Sequence, residues 1–245
     1  MIITSLNLFG RFDNWSRRRT NILSYINDTE PDLMFFQEVV YLPEASPLTQ
    51  VTDLNKRLEY PYYEHIAVTR LQTSDTYSEY REGLGILSKF PVLKSETLVL
   101  RQDPRDHLQR IVQLFDIDYH GYTVKFVNVH FSEHQELAAL HLVELFDILA
   151  SRHERRIIVG DFNIPDLEKY AELWQHDYSA SSGEPYVSYP SLKSRIDYIL
   201  MPKSDAFIDI TVSDDGLSDH RALTADIRLR VTASTKPLVE ASYAH

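Results

Sequence analysis

The chain contains no cysteine. That excludes disulfides and thiolate metal sites, and it permits a reducing compartment. It also lacks any apolar run near the ~20 residues that cross a bilayer, so no membrane span is expected. The start, MIITSLNLFG, has no basic region, apolar stretch or small-residue cleavage site of a secretion signal; a soluble, cytoplasmic, monomeric protein is expected. Positive charge is short: 25 Lys and Arg against 36 Asp and Glu leave a net charge of −11. This argues against a tight, sequence-independent nucleic-acid binder, which needs Lys and Arg on phosphates. It does not exclude an enzyme acting on a phosphate, because a bound cation inverts the local field. Glycine is scarce, seven in all, and Gly83, Gly85 and Gly160 fall in strand-like runs. There is no Pro/Gly/Ser linker, low-complexity block or short repeat.

What is present reads as strands and helices of ordinary length. MIITSLNL, DLMFFQEVV, YYEHIAVTR, GLGILSKF, SETLVLR, QRIVQLFDID, YTVKFVNVHF, RIIVGDFN, RIDYILM, FIDITVS and RALTADIRLRV are short apolar, β-branched and aromatic runs. DYHGY reads as a hairpin turn. Helices are predicted at NWSRRRTNILSYIND, PLTQVTDLNKRLEY and DLEKYAELWQ. A further helix follows Ser132, which with Gln135 fits a capping box. Leu142, Leu145, Phe146 and Leu149 give it an apolar face, and Arg152, Arg155 and Arg156 suit its C-terminal dipole. Each half begins strand, helix, strand and continues into more strands. That order predicts α+β architecture, two packed sheets with helices outside, in one domain over 1–231. A polar tail is expected over 232–245.

Polar residues recur where the apolar runs end. Residues 157–165 read IIVGDFNIP, and spacing of two in an extended chain puts Asp161 and Asn163 on one face. Alone, the pair is equally a polar turn. Asn7 ends the first run, Glu38 ends MFFQE, His130 ends VKFVNVH, and Asp219 with His220 precedes the last strand. Each alone is ordinary turn or surface chemistry. Asp197 is different: it lies inside an apolar strand, where a carboxylate is costly unless paired or metal-bound. Converging on one edge, these residues make a cluster of four carboxylates, two amides and two imidazoles. Mg²⁺ takes oxygen donors of this kind together with substrate phosphates. A His beside an Asp supplies a proton donor or acceptor near neutral pH. The implied chemistry is metal-assisted attack on a phosphoester. Zinc-protease, phosphate-loop and serine-hydrolase motifs are absent.

In order, LNL, FQEV, EGLGILS, VNVHF, GDFNIP, SRIDYIL and LSDHRAL resemble the endonuclease/exonuclease/phosphatase superfamily, with the deoxyribonuclease-I-like fold, from residue 2 to about 230. The resemblance implies an α/β four-layer sandwich, two packed mixed β-sheets flanked by helices. It implies Mg²⁺, with Mn²⁺ as a substitute, on Glu38 with Asn7 and Asp219. It implies that Asp161 and Asn163 orient water or bind phosphate, that His220 pairs with Asp197, and that His130 meets the scissile phosphate. Glu82 matches the position that pairs with His130 in deoxyribonuclease-like members. Tyr189, Lys193 and Arg195 border the substrate in this reading. The WSRRR run at 15–19, and Arg101, Arg105 and Arg110 with His107, read either as phosphate contacts or, the simpler choice, as solvated surface. The expected activity is hydrolysis of a phosphodiester, with a nucleic acid, an inositol phosphate or a lipid phosphate as partner. The alternatives are an inositol-phosphate monoesterase, a sphingomyelinase-like enzyme, and a non-catalytic binding module.

Overall fold

The computed structural model describes residues 1–70 and 79–230. The expected tail over 232–245 lies outside the described residues. The chain begins β1 (Ile2–Asn7), α1 (Trp15–Thr29), β2 (Leu33–Tyr41), α2 (Gln50–Leu58), β3 (Tyr62–Arg70), β4 (Tyr80–Ser88) and β5 (Val92–Val99). It continues β6 (Ile111–Tyr119), β7 (Tyr122–His130), α3 (Gln135–Ser151), β8 (Ile157–Asp161), α4 (Ala171–Trp174), β9 (Tyr178–Ala180), β10 (Asp197–Pro202), β11 (Ala206–Val212) and β12 (Leu223–Arg228). Two six-stranded mixed sheets result, ordered β11-β12-β1-β2-β4-β3 and β5-β6-β7-β8-β10-β9. No helix among the described residues is long and apolar enough to cross a membrane.

The sheets pack because their central strands are apolar on both faces. In β2, Leu33 and Phe35 point between the sheets, while Met34 and Phe36 point outward. Phe35 meets Phe126 of the second sheet at 5.4 Å between ring centroids. Outside the first sheet, α1 and α2 lay Trp15, Ile22, Ile26, Val51 and Leu54 over Met34 and Phe36. Outside the second, α3 lays Leu142, Leu145 and Leu149 over Val127, Val129 and Ile158. Alternation with period two inside the strands and 3.6 in the helices makes four layers.

Each sheet holds one parallel pair at its centre. β1 and β2 are joined through α1, and β7 and β8 through α3. A parallel pair connected by a crossover helix has both C-terminal ends on the same edge. Asn7 therefore ends beside Gln37, and His130 beside Asp161. Asp197 opens the antiparallel β10 opposite Asp161. One edge of the sandwich collects the polar strand ends.

Several local details differ from the sequence reading. Ser132 is not a helix cap. It is buried, its Oγ accepts the His134 amide at 3.2 Å, and α3 starts later with His134 at its N-cap. Arg152, Arg155 and Arg156 serve ion pairs rather than the α3 dipole. Arg152 pairs with Glu96 and Arg155 with Asp177, while Arg156 is buried between Asp116 and Glu154. DLEKYAELWQ divides into a 3-10 turn, Leu167–Tyr170, and the short α4. β9, only three residues long, carries no readable period.

Candidate active site

Asn7 joins the two sheets. Its Oδ1 accepts the Phe9 amide at 2.9 Å, which turns its NH₂ toward the cluster. That group donates to Glu38 Oε1 at 3.0 Å and to Asp161 Oδ2 at 3.1 Å. In this arrangement Asn7 orients the carboxylates as a donor.

Glu38 does not end its strand. β2 runs on to Tyr41, and the register slips between Phe36 and Val39, so two residues face one on β4. At this bulge Glu38 has φ +50°. A bulge re-aims a side chain, and a left-handed non-glycine residue there stores about 1–3 kcal/mol of strain. Asn163 likewise is not extended. β8 stops at Asp161, and Asn163 adopts φ +52° so that its amide donates to Asp161 Oδ1 at 2.9 Å. Its Nδ2 donates to the Phe131 carbonyl at 3.0 Å, tying the exit of β7 to that of β8. The pair is a turn, and the turn holds the Asp161 carboxylate.

Gly160 allows the close approach. It has φ +143°, and a Cβ there would lie 2.1 Å from the Val129 carbonyl oxygen of β7. Only a glycine fits between Asp161 and the neighbouring strand.

Asp161 Oδ2 stands between two imidazoles, 3.7 Å from His130 Nε2 and 3.8 Å from His220 Nε2. Both distances exceed a hydrogen bond. His220 Nδ1 donates to Asp197 Oδ2 at 2.8 Å. Ser188 Oγ accepts the amides of both Ile196 and Asp197 at 3.1 Å, fixing the start of β10. Asp197 Oδ1 is buried with no partner.

Burial would make His220 neutral, but the Asp197 charge and hydrogen bond, helped by Asp161 and Asp219, lift its pKa to about 10. Its environment favours the imidazolium form. His130 goes the other way: burial, with Arg110 and His220 nearby, holds it well below the usual histidine range. Burial and the Glu82 charge push Glu38 up to about 8. Burial and Asp197 push Asp161 up to about 7, against the pull of His220.

Asp161, Asp197 and His220 bring ligand atoms within 4.8 Å of one another. The His220 proton is committed to Asp197, so the free oxygen donors fit a cation better than the imidazole does. These are Asp161 and Glu38, joined by Asn7, with the unpartnered Asp197 Oδ1 beside them. Glu38, Glu82, Asp161 and Asp197 crowd His220, an imbalance that a divalent cation would correct.

Of the remaining expected residues, Asp219, Glu82 and Tyr189 adjoin this centre and Arg195 does not. Asp219 accepts from Ser218 Oγ at 2.9 Å and is near enough to raise His220. Glu82 is buried on β4, accepts from the Tyr80 hydroxyl at 2.9 Å and shares a cleft with His130. Tyr189 packs its ring 4.8 Å from that of His220. Arg195 is engaged elsewhere: it pairs with Glu168 at 3.0 Å and stacks on Tyr186 and Tyr198. Lys193 occupies a left-handed turn position. The sequence did not reveal Ser188, since nothing marks a serine that accepts two amides eight and nine residues away. Nor did it reveal Arg18, which is buried and donates to the carbonyls of Leu8, Gly10 and Phe12. A cation among the apolar positions of α1 was the available signal.

A family model described as the Endonuclease/Exonuclease/phosphatase family matches residues 4–220. By sequence, no curated protein matches the chain significantly. Several solved structures share the fold. A family protein from Leptotrichia buccalis has a TM-score of 0.76 at 16% identity, covering 94% of this chain and 100% of its own. A mannosyl-6-phosphatase from Bacteroides thetaiotaomicron has 0.68 at 18%, covering 94% and 100%. Sphingomyelinase C from Streptomyces griseocarneus has 0.66 at 16%, covering 92% and 98%.

Proposed function

The chain belongs to the endonuclease/exonuclease/phosphatase family, and from that membership we propose that it is a Mg²⁺-dependent phosphodiesterase using in-line attack of water. The observation that carries this reading is the convergence of Asn7, Glu38, His130, Asp161, Asp197 and His220 on one edge. Glu38 and Asp161, with Asp219, would hold Mg²⁺ or Mn²⁺, which when bound neutralises phosphoryl charge and activates phosphorus toward attack.

The chain's own residues divide the remaining work. His220, charged and fixed by Asp197, presents Nε2–H to a phosphoryl oxygen in the space before Asp161. A donor held in place by a buried carboxylate needs no reorganisation as charge develops. Asp161 would orient the attacking water by accepting a hydrogen bond from it. Asn163 and Asn7 hold that carboxylate by its two oxygens. Neutral His130 adds a hydrogen bond on the opposite side of the phosphate.

A second reading is phosphomonoester hydrolysis, on an inositol phosphate for example. The cleft beside His130 favours it, being narrow, about 20 Å³, room for a single small group rather than an extended chain. Hydrolysis of bis-aryl and mono-aryl phosphates, with and without Mg²⁺ or Mn²⁺, separates the two. Glu38→Gln, Asp161→Asn and His220→Ala are each expected to lower kcat by about 10²–10⁴-fold with the fold retained. Full activity in any of the three sinks the assignment.

A further inference from the structure

An aromatic pair borders the cluster with one ring left in solvent. β1 delivers Asn7 to the cluster, and the chain then turns before α1 begins at Trp15. In that turn Phe9 and Phe12 pack with ring centroids 5.3 Å apart, tilted by 41°. Phe9 is half-buried, and Phe12 is 51% exposed. A single exposed apolar residue is ordinary on a protein surface. This one differs in how firmly its loop is held and in what lies beside it.

The loop is fixed from below. Arg18 of α1 is buried and donates to the carbonyls of Leu8 at 2.7 Å, Gly10 at 3.0 Å and Phe12 at 2.6 Å. Its guanidinium carbon lies 5.8 Å from the centre of the Phe9 ring. Gln50 Nε2 donates to the Gly10 carbonyl at 2.6 Å. Phe9, Asp13 and Asn14 hold φ values of +50°, +43° and +55°, which non-glycine residues seldom adopt. Strain enforced in this way collects at ligand clamps. Rings set before a ligand arrives bind it at a smaller ordering penalty.

The loop adjoins the site on several sides. The Phe9 amide donates to Asn7 Oδ1, and the Asn7 NH₂ reaches Glu38 and Asp161. A Cβ on Gly10 would lie 3.4 Å from the Tyr80 hydroxyl and 3.6 Å from Phe12 Cδ2, and that hydroxyl donates to Glu82. Arg18 also donates to the Leu217 carbonyl at 3.3 Å, just before Ser218, Asp219 and His220. A group esterified to a phosphate at the cluster therefore comes within reach of these rings. With a net charge of −11, the chain is poorly suited to hold an anionic substrate by charge alone, so contact with its organic part matters more. Two packed rings cover one planar group. An acyl chain needs a longer apolar track, and a polyol needs polar partners.

We propose that Phe9 and Phe12 form a stacking platform for a planar ring in the organic part of the phosphoester substrate, with Phe12 supplying the exposed face. The assignment rests on the phosphoesterase reading and deepens it, since it names the kind of alcohol that the phosphate carries.

The test uses the full chain with Mg²⁺ and two probes that share a phosphoryl head on a carbon–phosphorus bond, phenylphosphonate and methylphosphonate. Dissociation constants come from NMR titration. Phenylphosphonate is expected to bind roughly 5- to 100-fold more tightly, the range of one stacked ring. Phe12→Ala should remove most of that difference while the methylphosphonate Kd stays as it is, and Phe12→Trp should restore it. Phe12 is half exposed, so these variants keep the fold. A second pair, adenosine 5′-monophosphate and ribose 5-phosphate, separates a nucleobase from a simple aryl group. A gain from the ring in either pair, abolished by Phe12→Ala, supports the platform. No gain in either pair, or a gain that survives Phe12→Ala, overturns it. Hydrolysis of a bis-aryl phosphate in the same preparation keeps the two readings apart. Turnover without any preference for a ring overturns the platform alone. A ring preference that depends on Phe12, without hydrolysis of any ester, refutes the proposed activity and leaves the platform standing.

Discussion

Gly160→Ala perturbs the site through one methyl group. The new Cβ would sit 2.1 Å from the Val129 carbonyl oxygen and 3.0 Å from the Val129 backbone nitrogen and carbonyl carbon. An ordinary carbon–oxygen contact is above 3 Å, so β7 and β8 must part by about 1 Å or the ladder must break. Neither neighbour is a side-chain end that can swing away. The backbone at φ +143° adds strain of about 1–3 kcal/mol for a non-glycine residue. Weakening one or two buried ladder hydrogen bonds adds about 1 kcal/mol each. The total, about 2–5 kcal/mol, converts at roughly 2–4 °C per kcal/mol to a fall in melting temperature of about 4–20 °C. The second effect is catalytic. Asp161 follows directly and is registered against His130, so a shift near 1 Å is expected to lower kcat/KM about 10²-fold. Calorimetry and steady-state hydrolysis of an aryl phosphate measure the two. A variant with wild-type melting temperature and wild-type kcat/KM refutes the reasoning, because the clash is with backbone.

Three further outcomes are expected. Ser188→Ala strands the buried amides of Ile196 and Asp197, at about 1–3 kcal/mol for each; thermal unfolding should show the loss, with kcat falling because Asp197 moves. Arg156→Met leaves Asp116 and Glu154 without their shared cation, a loss of about 3–5 kcal/mol that denaturant titration detects, while kcat at low temperature stays near wild type. In metal-free protein the carboxyl groups of Glu38 and Asp161 are raised to about 8 and about 7. The folded state then binds more protons than the unfolded one above pH ~4, so stability falls as pH rises through these values. His220, raised to about 10, contributes stability that is full below pH ~6.5 and lost toward 10, the same direction. Mg²⁺ must displace the carboxyl protons, so the rise in melting temperature on adding Mg²⁺ over EDTA should grow from pH 5.5 to 8.5. A flat or declining Mg²⁺ effect contradicts the ligand assignment.

The fold was readable because its strands and helices are locally consistent. Runs such as MFF and IIV need no tertiary information to be strands buried on both faces, and Leu142, Leu145 and Leu149 declare the inner face of α3. Chemical identity was also readable, since Asp197 has no reason to sit among Ile196, Tyr198 and Ile199 unless paired. What escaped were features created by neighbours. The bulge at Glu38 exists only against β4, and sequence alone places that residue at a strand end. The left-handed Asn163 depends on Asp161 and the Phe131 carbonyl, neither of which a spacing of two can report. Arg18, Arg110 and Arg156 look like solvated charge in the sequence. Each is buried because partners distant along the chain, or turned back from a loop, receive its donors.

The unfavourable features of the molecule are not spread evenly. Glu38 and Asn163, two of its non-glycine residues at positive φ, flank the cluster, as does Phe9 beside Asn7. The unpartnered Asp197 Oδ1 is there, and so are the two carboxyl groups driven furthest toward neutrality. Elsewhere the picture is mixed: Asn128 accepts from Gln37 and donates to the Phe36 and Gly85 carbonyls between the sheets, while the buried Gln113 of β6 has no partner for either side-chain polar atom. Strain and charge crowding of this kind persist only where surrounding structure over-determines them. Here the over-determination comes from two parallel pairs, each buried on both faces, whose ends cannot retreat from one another without opening the sandwich. The packed core therefore holds Asp161, Glu38 and Asp197 closer than they would stand by themselves, and a bound divalent cation would relieve the repulsion so stored.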